Sequence, residues 1–309
     1  MKMLKPKFWA KEYSLLAFIL FPLSIILQVL IYFKKRITKK KKISIPVICV
    51  GNIYLGGTGK TPLSIEIAKI LEKFNKKTAI IKKSYKDHED EYKLIAFHQV
   101  PLFRDTSRYM AINEAIKHEF DCVVLDDGFQ DFSINKDLNI LCFNERQLIG
   151  NGMTLPSGPL RQPLSSLKEC QIIVINGNIS LKLEKMIKNI SNNISIYYSK
   201  YVPTNLKSFK NKNLLAFAGI GNTDNFFYLL ENSNLTIEKK VSFPDHYNYS
   251  LKELNKLIDF ALINNLKIIT TEKDYFRIKH FQLPHIEYLD LKLEISNRSD
   301  FEKKIIKYL

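Results

Sequence analysis

After residue 45 the chain alternates between two hydrophobic patterns. Short apolar, β-branched runs at Pro46–Val50, Thr78–Ile81, Cys122–Leu125, Asn139–Phe143 and Ile172–Ile175 predict strands. Between several of them, apolar residues recur at helical spacing, over Leu63–Phe74, Tyr109–His118 and Leu181–Ile190. Strand and helix in turn predict a doubly wound α/β lobe. Tyr197 to Lys212 is polar, contains Pro203 and reads as a linker. A further set, Leu214–Ala218, Phe226–Glu231, Leu251–Asn264 and Lys267–Thr270, predicts a second α/β lobe. No internal repeat is visible.

Ahead of both lobes, Tyr13 to Phe33 is 21 residues without a charge, long enough to cross or deeply enter a bilayer. Pro22 predicts a kink, which membrane helices tolerate. A signal peptide would have a shorter apolar run and a small-residue cleavage site before the lysines. A buried soluble helix is rarely apolar on every face. Lys34, Lys35, Arg36, Lys39, Lys40, Lys41 and Lys42 then place seven charges within nine residues, in a chain of formal charge +16. Nucleic acid and anionic membrane both attract such a run. The apolar neighbour, and the lack of aromatics within the run, favour membrane over nucleic acid. Lys2, Lys5, Lys7 and Lys11 make the other flank basic too, so spanning and monotopic insertion both stay open. An apolar content of 46% is that of a folded chain, and 309 residues suffice for two lobes. Cys49, Cys122, Cys142 and Cys170 lie in or beside apolar runs without metal-like spacing, which fits buried free thiols in a reducing compartment. No feature calls for an obligate protein partner.

The strand at Val47–Val50 runs into Gly51-Asn52-Ile53-Tyr54-Leu55-Gly56-Gly57-Thr58-Gly59-Lys60-Thr61-Pro62. Strand, glycine loop and helix in that order form a phosphate cradle. The backbone of Gly56, Gly57, Thr58 and Gly59 turns amides toward an anion, Lys60 reaches the β/γ-phosphates of ATP, and the Thr61 hydroxyl holds Mg²⁺. Tyr54 stands where this pattern usually has glycine or alanine. A glycine-rich turn with an incidental lysine is the plain alternative, and the ordered context argues against it. Asp126 and Asp127 end a second buried strand, and in an open parallel sheet they emerge beside the Lys60 loop, where a metal needs oxygen ligands. Alone, Asp126-Asp127-Gly128 would read as a turn.

Together these residues resemble the tetraacyldisaccharide 4′-kinases of lipid A biosynthesis over nearly the whole chain. The resemblance is carried by the apolar N-terminal helix, the glycine loop, Asp90-Glu91 before an apolar helix, and Asp126-Asp127-Gly128-Phe129-Gln130. It continues through Gly150-Asn151-Gly152-Met153-Thr154-Leu155-Pro156-Ser157-Gly158-Pro159-Leu160-Arg161. In the second lobe it is carried by Phe217-Ala218-Gly219-Ile220-Gly221-Asn222, Phe243-Pro244-Asp245-His246-Tyr247 and Thr270-Thr271-Glu272-Lys273-Asp274. It implies transfer of the ATP γ-phosphate to the 4′-hydroxyl of an acylated glucosamine disaccharide 1-phosphate, at the inner membrane with the lobes on the cytosolic side. It further implies Asp90 as catalytic base with His246 as its partner. Glu91, Asp126 and Asp127 match acidic residues near the metal. Substrate or phosphate contacts are expected from Lys83, Tyr85, Arg108, Gln130 and Arg161. The expected organisation is residues 1–42 as anchor and basic collar, 43–200 as the P-loop lobe, and 201–309 as linker and second lobe. In that order Asp90 and His246 fall in different lobes, so the pair forms only when a cleft between them closes.

This chain departs from the family pattern in four places, one of them the short segment from Tyr85 to Asp90. Lys82-Lys83-Ser84-Tyr85 stands where Ser-Arg-Gly-Tyr is usual, which gives Lys83 the arginine's place with less geometric control. Asp131 replaces a histidine, and Gln162 replaces a glutamate. A membrane-tethered P-loop nucleotide switch shares the Lys60 loop and the acidic strand end, but it has no need of the Gly150–Arg161 element. Several residues also have plainer readings. Asp90 suits a helix N-cap, and His246 an ordinary loop. Arg161 and Arg108 suit surface positions beside a turn and a helix start. Thr271-Glu272-Lys273-Asp274 suits a solvated cap.

Overall fold

The computed structural model describes residues 6–84, 89–245 and 247–309, and of Asp90 the backbone alone. In chain order the elements begin α1 (Leu15–Ile37), β1 (Val47–Gly51), α2 (Lys60–Lys73), β2 (Thr78–Lys83), α3 (Glu89–Phe97), β3 (Leu102–Asp105) and α4 (Arg108–Lys117). Then come β4 (Cys122–Asp126), β5 (Leu138–Asn144), β6 (Ile172–Asn176), α5 (Leu181–Ile190) and β7 (Ser195–Pro203). The remainder is β8 (Asn213–Ala218), α6 (Thr223–Asn232), β9 (Thr236–Ser242), α7 (Leu251–Ile263), β10 (Lys267–Thr271), α8 (Glu272–Ile278), β11 (Ile286–Leu289), β12 (Leu291–Ile295) and α9 (Arg298–Ile306).

Two compact units emerge, and both are α/β. The first holds Met1–Lys83, Val100–Lys200 and Ile295–Leu309; the second holds Ser84–Gln99 and Tyr201–Glu294. An eight-stranded sheet has the order β12-β7-β6-β5-β1-β4-β2-β3, and every neighbouring pair from β7 to β3 is parallel. All five residues of β1 are buried, as expected for a strand covered on both faces. Leu63, Ile67, Ile70 and Leu71 of α2 are buried against the sheet, which is why their helical spacing was readable. The chain leaves β1 toward β2 on one side, and crosses from β4 to β5 on the other. β1 is thus the switch point where ligands of such sheets sit.

The second unit is built on a parallel sheet of order β11-β10-β8-β9. α3 belongs here although it lies between β2 and β3 in sequence. Phe97 stacks on Phe276 of α8 at 4.6 Å between ring centres, and Glu91 pairs with Lys273 at 3.3 Å. Three sequence expectations therefore change. Residues 84–99 go with the second unit, not the first. The last helix, α9, goes with the first: Tyr197 donates to Asp300 at 2.5 Å, and Arg298 pairs with Glu66 at 2.5 Å. The polar stretch read as a linker begins within strand β7, a mostly half-buried strand in which Tyr197 and Ser199 are buried and Lys200 and Val202 exposed.

Helix α1 contains Pro22 and exposes most of its apolar side chains. One stripe does not face outward. Ala17 and Ser24 are buried, Ser24 Oγ donates to the Thr154 carbonyl at 2.9 Å, and Gln28 Nε2 donates to Thr154 Oγ1 at 2.6 Å. Just before the helix, Trp9 Nε1 donates to the Pro156 carbonyl at 3.0 Å. The helix thus rests on the Gly150–Arg161 segment through its few polar side chains, which is where a helix surrounded by lipid would place them.

Candidate active site at the switch point

β1 must end where Phe129 crosses it. A Cβ on Gly51 would stand 2.5 Å from the Phe129 Cβ, so only glycine permits this approach. The following loop is tied from both sides. Asn52 Nδ2 donates to the Gly56 carbonyl at 3.1 Å and to Thr58 Oγ1 at 3.0 Å, and Gln130 Nε2 donates to the Asn52 carbonyl at 2.7 Å. The Leu55 amide donates to the Pro159 carbonyl at 2.8 Å, the Arg161 amide donates to the Ile53 carbonyl at 2.7 Å, and Tyr54 is buried in a bridge to Leu160. Gly59 caps α2 with φ of 91°, a conformation that costs glycine little. The first amides of α2 have no partner within the helix and carry its partial positive charge, so the loop is poised for an anion.

Two carboxylates meet this loop from the end of β4. Asp126 is fully buried; Thr61 Oγ1 donates to it at 2.9 Å and Ser64 Oγ at 3.3 Å. Asp127 lies 3.8 Å from the Lys60 ammonium, and Arg161 Nη1 donates to both its oxygens at 3.1 and 3.2 Å. Its backbone is left-handed, with φ of 56°, unusual for a residue bearing a Cβ. Two hydrogen bonds hold that conformation: the Asp127 amide donates to the Val50 carbonyl at 2.9 Å, and Arg108 Nη2 donates to the Asp127 carbonyl at 2.7 Å. Burial pushes the Asp127 carboxyl up, but the charges of Lys60 and Arg161 and the Arg161 hydrogen bond outweigh it and hold it below the usual carboxylate range. Arg108 is buried and also pairs with Asp131 at 3.3 Å, so here it holds the protein backbone. Gln162 is buried, and its Oε1 has no hydrogen-bond partner among the described residues.

Lys82 is the residue that sequence reasoning missed. Lys83, given the phosphate contact, is the half-buried last residue of β2, whereas Lys82 is buried and its ammonium pairs with Asp126. The period of two along a strand would have separated the two lysines, had the inward face been known. Lys82→Met should lower stability by about 2 kcal/mol. That is less than the usual cost of breaking a buried pair, because Thr61 and Ser64 still stabilise the carboxylate. Thermal or urea unfolding checks this.

Asp90 lies in the first turn of α3, in the second unit with the β9–α7 segment that carries position 246. The expectation that these two motifs lie in different lobes is thereby corrected. His246 and Tyr85 themselves lie outside the described residues. Glu91 is in the second unit, paired with Lys273. Asp274 is no solvated cap. It is fully buried and accepts from the Gly219 amide at 2.9 Å, Tyr249 at 2.9 Å and Arg277 at 2.7 Å, which ties α8 to the end of β8.

All four cysteines are free and buried. Burial pushes all four thiols up, Cys49 to about 11 and Cys142 and Cys170 to about 12, which disfavours the thiolate form.

Thr61 and Asp126 present a hydroxyl and a carboxylate side by side. Such hard oxygen donors fit Mg²⁺, which takes one or two protein ligands and completes its shell with nucleotide phosphates and water. A glycine loop at the switch point of a parallel sheet, with a lysine and two aspartates converging on it, defines a P-loop nucleotide-binding protein. More narrowly, the chain belongs to the tetraacyldisaccharide-1-P 4'-kinase family, which it matches over residues 16–309. It is 44% identical to the tetraacyldisaccharide 4'-kinase of Pelagibacter ubique (strain HTCC1062), across 99% of this chain and 98% of that one. It is 34% identical to the tetraacyldisaccharide 4'-kinase of Rickettsia bellii (strain OSU 85-389), across 99% of both chains. Its fold is similar to that of LpxK from Aquifex aeolicus, whose crystal structure was solved in complex with ATP. The TM-score is 0.75 at 24% identity, over 95% of this chain and 99% of that one.

Proposed function

We propose that this protein is a lipid A 4′-kinase, which transfers the γ-phosphate of ATP to the 4′-hydroxyl of an acylated glucosamine disaccharide 1-phosphate. The observation that carries the proposal is the Lys60–Asp127 and Thr61–Asp126 constellation, in a chain that matches the kinase family almost end to end. The glycine loop and the α2 N-terminus bind the phosphates, and Lys60 neutralises charge that develops as the bond between the γ-phosphorus and the bridging oxygen breaks. Mg²⁺ on Thr61 and Asp126 or Asp127 would neutralise further phosphate charge when bound. Arg161 is aimed into the same space through Asp127. The attacking sugar hydroxyl gives its proton to the Asp90–His246 pair, and ADP leaves. A nucleotide switch would need none of the lipid chemistry, and family membership disfavours that reading. The test is incubation of the pure protein with ATP, Mg²⁺ and the disaccharide 1-phosphate lipid. Mass analysis should find one added phosphate; ATP hydrolysis with unmodified lipid would overturn the assignment.

The substrate is a lipid, and α1 with its lysine collar supports work at an anionic membrane, which we assign to the cytosolic face of the inner membrane. Deletion of residues 1–33 should release the protein only in part. The collar remains and contributes roughly 1 kcal/mol per lysine near anionic lipid, so residual binding should fall steeply with salt. Vesicle sedimentation across a salt series reads this out; salt-independent binding of the truncated protein would contradict it. The deletion also removes the Ser24 and Gln28 hydrogen bonds to Thr154, so unfolding is followed in parallel.

A further inference from the structure

A concavity of about 640 Å³ lies in the first unit between α5 and the helical turn Leu164–Glu169. The phosphoryl-transfer site makes no use of it. Its floor is apolar, from Leu164, Met186 and Ile190, and its rim carries Lys168, Lys182 and Lys185. Among the described residues, no acidic one lines it. The acids nearest in sequence are engaged elsewhere: Glu169 pairs with Lys35, and Glu184 accepts from Tyr198 at 2.5 Å. Among the described residues, no acid of the lining offsets the rim charge. Ile179 and Leu181, immediately before this face of α5, are 71% and 74% exposed.

The position of the groove matters as much as its lining. The Lys35–Glu169 pair joins the last turn of α1 to the end of the turn that forms one wall. The groove thus continues from the point where α1 passes into its basic collar. Lysines around an apolar floor, flanked by exposed Ile and Leu, match the boundary between phosphate headgroups and acyl chains.

We propose that this groove is a second membrane contact that seats one anionic phospholipid of the bilayer. The headgroup phosphate lies among Lys168, Lys182 and Lys185, and the first acyl carbons lie on Leu164, Met186 and Ile190. The contact fixes how the first unit is turned about the α1 anchor. It rests on the reading of α1 as membrane-inserted.

The experiment uses the full chain with Ile179→Cys, labelled with a polarity-sensitive dye. The four native cysteines are buried, which directs the label to the new thiol. Phosphatidylglycerol-rich vesicles should shift the dye to the blue, and phosphatidylcholine vesicles should not. Three lysines, each worth roughly fivefold near an anionic surface, predict a large effect of neutralising them. In a K168Q/K182Q/K185Q background, at least tenfold more anionic lipid should be needed for half the shift, while α1 still carries the protein down with vesicles. The substituted lysines are exposed, so the fold should stand, and a melting curve confirms it. A protein that sediments with vesicles but shows no shift, an equal shift in both lipids, or a shift indifferent to the triple substitution would overturn the groove assignment alone. Failure to sediment with any vesicle would overturn the membrane reading, and the groove with it.

Discussion

Lys60→Ala should lower phosphoryl-transfer turnover by about 10²- to 10³-fold, the usual cost of removing one preorganised group that meets transition-state charge. The fold should stand. Lys60 is the first residue of α2 rather than one of its apolar core positions, and Asp127, 3.8 Å away, keeps its two hydrogen bonds to Arg161. Nor does the loop depend on the lysine for its shape, because Asn52, Gln130 and the backbone bonds to Pro159 and Arg161 hold it. Turnover is measured at saturating ATP and compared with an unfolding curve. Near-normal turnover in a folded variant would end the phosphate-loop reading. A conservative Lys60→Arg variant separates charge from shape: a larger, planar guanidinium does not fit the space of a compact ammonium, so little activity should return.

What could be read in the sequence was what is local. β1, the glycine loop and α2 follow each other without interruption, and their signals are glycines at fixed offsets and a helical apolar period. Asp126 and Asp127 were found for the same reason, at the end of a short apolar run. What could not be read depends on which elements pack together. Sequence order places α3 with the first lobe, whereas the Phe97–Phe276 stacking and the Glu91–Lys273 pair place it with the second unit. The part of β7 from Tyr197 on reads as linker because this half-exposed strand is rich in Tyr, Ser and Lys and lacks the continuous apolar run of the central strands. Lys82 and Lys83 are chemically alike, and only the register of β2 against β4 shows which one is turned inward toward Asp126. Asp274 looked like a cap because its partners, the Gly219 amide and Tyr249, come from distant segments.

Asp90→Ala and His246→Ala should each lower turnover by about 10²- to 10⁴-fold, the range for loss of a general base. The double variant should be little worse than the worse single one. Two residues that accept and hold one proton as a unit lose that function when either is removed, so their losses do not multiply. Both positions lie in segments of the second unit, and Lys60 with its loop lies in the first. ATP affinity should therefore be nearly unchanged in all three variants. The measurement is turnover of the single and double variants with the lipid acceptor, beside an ATP titration. Fully multiplicative losses would show that Asp90 and His246 do not act as base and partner. A collapse of ATP affinity in Asp90→Ala would place Asp90 at the nucleotide instead of the acceptor hydroxyl.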